Sequence, residues 1–151
     1  MMFKDAFFQN LQSIARIVIA LIFIIISFDK LMNLDIVYLV VAKKEFFFSK
    51  QFIIIGYSLL ELIFGLFLLV GYKIRMASFA LAFLHLFLTL SMHHFWSMIV
   101  VGKKIIHLQF FLKNLVVIMA LFYIASSPSD KLSLDRAYEV LAENNKKRKK
   151  K

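Results

Sequence analysis

Apolar residues fill four long stretches of the chain, each bounded by charged or turn-forming positions. A helix that crosses the hydrocarbon core of a bilayer needs about 20 residues at 1.5 Å rise. The stretches meet that length at about residues 11–28, 51–70, 74–95 and 105–126. Runs this long must satisfy their own backbone hydrogen bonds in lipid, so they predict helices, despite the many Phe, Val and Ile residues. Gly71-Tyr72-Lys73 makes a tight turn, which sets the second and third spans antiparallel, and Pro128 stops the fourth. The pattern predicts an all-α, four-transmembrane-helix bundle over residues 1–136.

Two shorter amphipathic segments accompany the spans. Leu31, Leu34, Tyr38 and Val41 recur at helical spacing after span one, which predicts a short interfacial helix. Ser133 is placed to cap a last helix over 133–145, whose Leu134, Ala137, Tyr138 and Leu141 share a face. Residues 146–151 form a wholly basic tail.

Composition sharpens this picture in three ways. Hydrophobic residues make up 62% of the 151 positions, against about 45–50% in soluble domains, so no polar shell is available for a soluble core. The absence of cysteine removes disulfides, thiol relays, cysteine-held zinc and iron–sulfur clusters. The formal charge of +10 is concentrated in the tail rather than spread over a basic face, so it predicts contact with anionic lipid and not with nucleic acid. The first apolar run lacks a small-residue cleavage pattern and is expected to be retained as a span.

The Lys and Arg balance gives an orientation. With four spans, Lys4, Lys73, Arg75, Lys131, Arg136 and the tail share one side, against Lys30, Lys43, Lys44, Lys50, Lys103 and Lys104 on the other. The tail decides the comparison and places both termini in the cytoplasm.

Ionisable residues inside the spans are the candidates for chemistry. A charge at mid-bilayer depth costs about 2.5–3.5 kcal/mol on insertion scales, so it is expected to face a partner or a cavity. Glu61 lies in the middle of span two, Lys113 at similar depth in span four beside Asn114, and Arg16 about a turn and a half inside span one. Glu61 is the carboxylate well inside a span, which makes Lys113, Arg16 or both its expected counter-ions. Ser58, Glu61 and Gly65 form a small–polar–small stripe that favours close helix packing. Two readings stand: a structural ion pair, or a proton relay or polar head-group site. His93 and His94 sit beside Trp96 at the outer end of span three, and no His-x-x-x-His or Glu-x-x-His spacing supports a metal.

The order of these motifs resembles the DoxX family of small bacterial membrane proteins over about residues 11–136. The resemblance rests on Ala15-Arg16-Ile17, Phe28-Asp29-Lys30-Leu31, Gly56-Tyr57-Ser58-Leu59-Leu60-Glu61, Val70-Gly71-Tyr72-Lys73, His94-Phe95-Trp96, Leu112-Lys113-Asn114-Leu115 and Ser133-Leu134-Asp135. One departure is Ser27-Phe28-Asp29-Lys30, where many relatives carry a glycine before the lysine. The resemblance implies a four-helix protein of the bacterial inner membrane. Some relatives are linked to quinone-dependent or other redox assemblies, and none supplies catalytic residues to carry over.

The expected function is therefore an accessory subunit of a membrane redox assembly, with redox partner proteins and no self-contained catalytic motif. The candidate polar site comprises Arg16, Lys30, Glu61, His93, His94, Lys113 and Asn114. A quinone suits an apolar slot with a few convergent polar groups; no bound metal is expected. The alternatives are a small proton- or solute-conducting protein that uses Glu61, and a purely structural, partner-binding membrane protein.

Overall fold

The computed structural model describes residues 2–35, 50–92, 96, 99–128 and 132–149, with side chains from residue 10 and, in the second helix, from residue 52. Among the described residues, five helices follow in chain order: α1 (Met2–Met32), α2 (Lys50–Val70), α3 (Ile74–Met92), α4 (Val101–Ser126) and α5 (Leu134–Arg148). No strand occurs among the described residues. Four of these helices are long and apolar enough to cross a membrane, over Asn10–Met32, Phe52–Val70, Ile74–Met92 and Val101–Ser126. The interfacial helix expected after span one falls largely on residues 36–49, which lie outside those described.

Helix ends differ from the hydropathy limits for a simple reason. Neither Gly nor Pro occurs before Gly56, so nothing in the sequence breaks α1 where its apolar run begins. At the start of α4, Lys103 and Lys104 are good helix formers, so the helix begins before its apolar run does. Hydropathy marks the lipid boundary; hydrogen bonding marks the helix end. α4 stops as expected, with Ser127 as its C-cap and Pro128 next.

The chain divides into two compact units, residues 1–74 with 128–151 and residues 75–127. In the first, α1 and α2 pack antiparallel along a seven-residue repeat. The buried positions of α1 are Ser13, Arg16, Ala20, Phe23 and Ser27, and those of α2 are Ile54, Ser58, Glu61, Gly65 and Leu68. Both sets alternate by three and four residues, the spacing of a left-handed coiled-coil seam. Gly65 marks a close approach: a Cβ there would stand 3.2 Å from the Ile24 side chain. Within the second unit, the Phe122 ring meets Phe79 at 5.7 Å and Phe83 at 6.0 Å. At the far end of the same pair, Asn114 Nδ2 donates to Thr89 Oγ1 at 3.1 Å, so α3 and α4 also run antiparallel.

The α2–α3 turn is the most constrained part of the first unit. Gly71 adopts φ +75°, and both its N–H and that of Tyr72 donate back to Phe67 O. This closure leaves the carbonyls of Leu68 and Leu69 to find other donors. Arg16 supplies them: its Nη1 donates to Leu68 O and, at 2.8 Å, to Leu69 O, while Nη2 donates to Leu132 O at 3.1 Å. On the other side of the turn, Asp135 Oδ1 and Oδ2 accept the N–H groups of Lys73 and Ile74, each at 2.8 Å. Asp135 N–H donates in return to Gly71 O. Ser133 accepts the Arg136 N–H and so starts α5 as its cap. Gln12 adds a bond to Pro128 O.

Gly71 is thus required twice, by its left-handed backbone and by Ser133, whose Cβ would lie 2.6 Å from a Cβ at position 71. Gly71→Ala is expected to lose about 1–2 kcal/mol from the backbone alone, and more from displacing Ser133. Gly56→Ala, in helical backbone with nothing within 4 Å, is expected to be neutral or to gain about 0.5–1 kcal/mol. Unfolding in mild detergent by graded SDS addition checks both; equal effects would overturn the assignment. Arg16→Lys replaces a planar fork by a point charge. It is expected to lose about 2 kcal/mol by leaving a buried carbonyl without a donor, read in the same assay.

Candidate functional site

Glu61 sits nine residues before the end of α2, about 13 Å along its axis. It is only 1% exposed. The sequence expectation paired it with Lys113 or Arg16; the structure gives it a different cation, from within the first unit. Its cation is Lys30, whose Nζ lies 2.7 Å from Glu61 Oε2. Arg16 stands two seven-residue repeats away along the seam, where its guanidinium donates to the carbonyls of the α2 terminus. Lys113 is exposed on α4, with its Nζ 5.0 Å from the centre of the Phe110 ring.

The register of α1 on α2 explains the outcome. Arg16, Phe23, Ser27 and Lys30 follow one another on one face of α1 and descend along α2 past Leu68, Gly65 and Glu61. Lys30, in the last turn of α1, bends its four-carbon stem inward to the carboxylate and keeps 19% of its side chain exposed. Its ammonium also stands 4.7 Å from the centre of the Tyr57 ring, a cation–π distance.

Two further groups complete the cluster. Ser27 Oγ lies 3.1 Å from Glu61 Oε2 and 2.6 Å from Phe23 O, so its single proton serves one acceptor at a time. The Tyr57 hydroxyl, one turn before Glu61, donates to Oε1 at 3.4 Å. Around one carboxylate the fold therefore gathers an ammonium, a phenol and an aliphatic hydroxyl. Neither Ser27 nor Tyr57 belonged to the sequence-derived set. The signal was present, since Tyr57 precedes Glu61 by four residues and Ser27 precedes Lys30 by three, spacings that share a helix face.

The remaining candidates lie elsewhere. Asn114 bonds Thr89 within the second unit, and Thr89 Oγ1 donates in turn to His85 O at 2.7 Å. His93 and His94 lie outside the described residues. Asp29 and Asn33, at the C-terminal end of α1, are exposed and bonded to each other at 2.9 Å, as in a solvated helix end.

A family model described as DoxX matches residues 11–94, more than half of the chain. The chain belongs to the DoxX family. No curated protein and no solved structure matches it. The matched DoxX region contains Arg16, Ser27, Lys30, Tyr57, Glu61 and Gly71, so the seam of α1 and α2 and the turn after it lie inside it. Lys113, Asn114 and Asp135 lie beyond it. Four apolar spans within a DoxX chain make this a multi-pass membrane protein.

Removing one partner of a buried ion pair costs about 3–5 kcal/mol, because the other charge is left uncompensated. In this DoxX protein Glu61→Gln and Lys30→Met are each expected to lose about 3 kcal/mol. The double variant should recover much of that, since it removes both charges together. Lys113→Met is expected to change stability by less than about 0.5 kcal/mol. A double-mutant cycle by SDS unfolding measures the coupling, and strictly additive losses at positions 30 and 61 would overturn it.

Proposed function

We propose that this DoxX protein is an accessory, non-catalytic subunit of a membrane redox assembly, and that a quinone-type head group binds beside Glu61. The observation that carries the reading is the donor and acceptor set around one buried carboxylate: Lys30, Tyr57 and Ser27. A quinone offers carbonyl acceptors and its reduced form offers hydroxyl donors. An ammonium and a phenol suit the first, and a carboxylate suits the second. Lys30 uses one of its three N–H groups on Glu61 and reaches the surface of the helix pair. The apolar side chains of α1 and α2 provide the dry surroundings in which a ring and its isoprenoid tail partition from the bilayer. With no cysteine in the chain, thiolate-bound iron–sulfur centres are supplied by partner proteins, and this subunit positions the head group.

The short Lys30–Glu61 contact favours a second reading, in which the cluster only holds α1 against α2 for a partner subunit. Proton or solute conduction through Glu61 fits the same contact less well, since the carboxylate is held by a neighbouring cation. The Lys and Arg balance supports a topology with both termini cytoplasmic, and the DoxX membership supports a bacterial inner membrane.

Protein purified in mild detergent is expected to carry extractable quinone, or to bind a short-chain quinone analogue on titration. Tyr57→Phe keeps the ring and the ion pair but removes a donor. It is expected to weaken binding about tenfold, equivalent to about 1.4 kcal/mol. Neither extractable quinone nor binding on titration would overturn the head-group site and leave the packing reading. Proteoliposome proton flux that falls in Glu61→Gln would favour conduction instead.

A further inference from the structure

We propose that α5 is an in-plane membrane helix whose apolar face and basic end dock on the anionic lipid of the leaflet at which it emerges. None of its residues is buried by the rest of the chain. Leu134, Tyr138 and Leu141 are 41%, 61% and 59% exposed, and with Ala137 they form one continuous face. The opposite face carries Arg136 and Glu139, paired at 3.0 Å, together with Glu143 and Lys147. A helix divided this way, with low overall hydrophobicity, is suited to lie along an interface rather than to span it or to stand in water.

Its position is fixed by the turn at its root. Asp135 bonds the N–H groups of Lys73 and Ile74, and Arg16 bonds Leu132 O, so α5 begins level with the end of one span and the start of the next. A helix rooted there and turned along the surface puts Leu134, Tyr138 and Leu141 at the depth of the acyl-chain boundary. Its last turn then carries Lys146, Lys147 and Arg148 to the head groups, followed by Lys149 and two further lysines in the sequence. Charge complementarity selects the occupant. A run of cations directly after an apolar helix face fits anionic head groups, and a neutral surface offers those cations nothing.

The chain contains no cysteine, so single-cysteine variants of the full-length protein take a nitroxide label without background. Leu141→Cys and Glu143→Cys are compared in vesicles of phosphatidylcholine alone and of phosphatidylcholine with about one-third phosphatidylglycerol. With phosphatidylglycerol present, the label at 141 is expected to become several-fold more accessible to membrane-dissolved oxygen than to an aqueous nickel chelate, and the label at 143 the reverse. The contrast should fall when Lys146, Lys147, Arg148 and Lys149 are replaced by Gln together, or when salt is raised. Equal water accessibility of both labels in both vesicles would overturn the proposal. So would equal burial with and without phosphatidylglycerol. A label at 141 immobilised to the same extent in detergent and in both vesicles would show that protein covers this face, and would overturn it too.

Discussion

The end of a helix leaves carbonyls and N–H groups without intrahelical partners, and the α2–α3 turn is built around that constraint. Gly71 and Lys73, both at positive φ, turn the chain sharply at the end of α2. That turn leaves acceptors open at the end of α2 and donors open at the start of α3. Arg16 answers the first and Asp135 the second, from positions more than fifty residues away in sequence. Each charge also meets the favourable end of a helix dipole, the guanidinium at a C-terminus and the carboxylate at an N-terminus. The buried Arg16 guanidinium thus meets backbone carbonyls at this point, and α5 is rooted by the same bonds.

The Glu61 cluster obeys the same rule at the other end of the α1–α2 seam. Serines and glycine occupy the seam where charged side chains need room, with Ser27 beside Glu61 and Gly65 one turn further along α2. Close packing and polar content are thus coupled: the small residues that let the helices approach also bring Lys30 within bonding distance of the carboxylate. A head-group site and a packing device use the same atoms here. What separates them chemically is that Lys30 keeps part of its side chain at the surface while Glu61 does not.

α5 extends the logic outward. In the seam and the turn, Arg16, Glu61 and Asp135 meet partners within the protein; beyond the turn, α5 presents an exposed apolar face and a run of cations. The membrane supplies both kinds of surface at one depth, which connects the root of α5 to the proposed lipid contact.

Four spans, the stop at Pro128, the cap at Ser133 and the DoxX resemblance followed from the sequence, because hydropathy, proline and capping chemistry are local properties of the chain. Glu61 also stood out locally, as a carboxylate in an apolar run whose insertion demands compensation. Its partner did not. The position of a residue within its span suggests only a depth, which is one coordinate; pairing also needs the rotation of each helix and the register between them. Those belong to the packed seam, which turns Lys30 inward from the last turn of α1, aims Arg16 at backbone carbonyls and adds Ser27 and Tyr57. The sequence by itself determined which charges had to be compensated, and the tertiary structure decided by what.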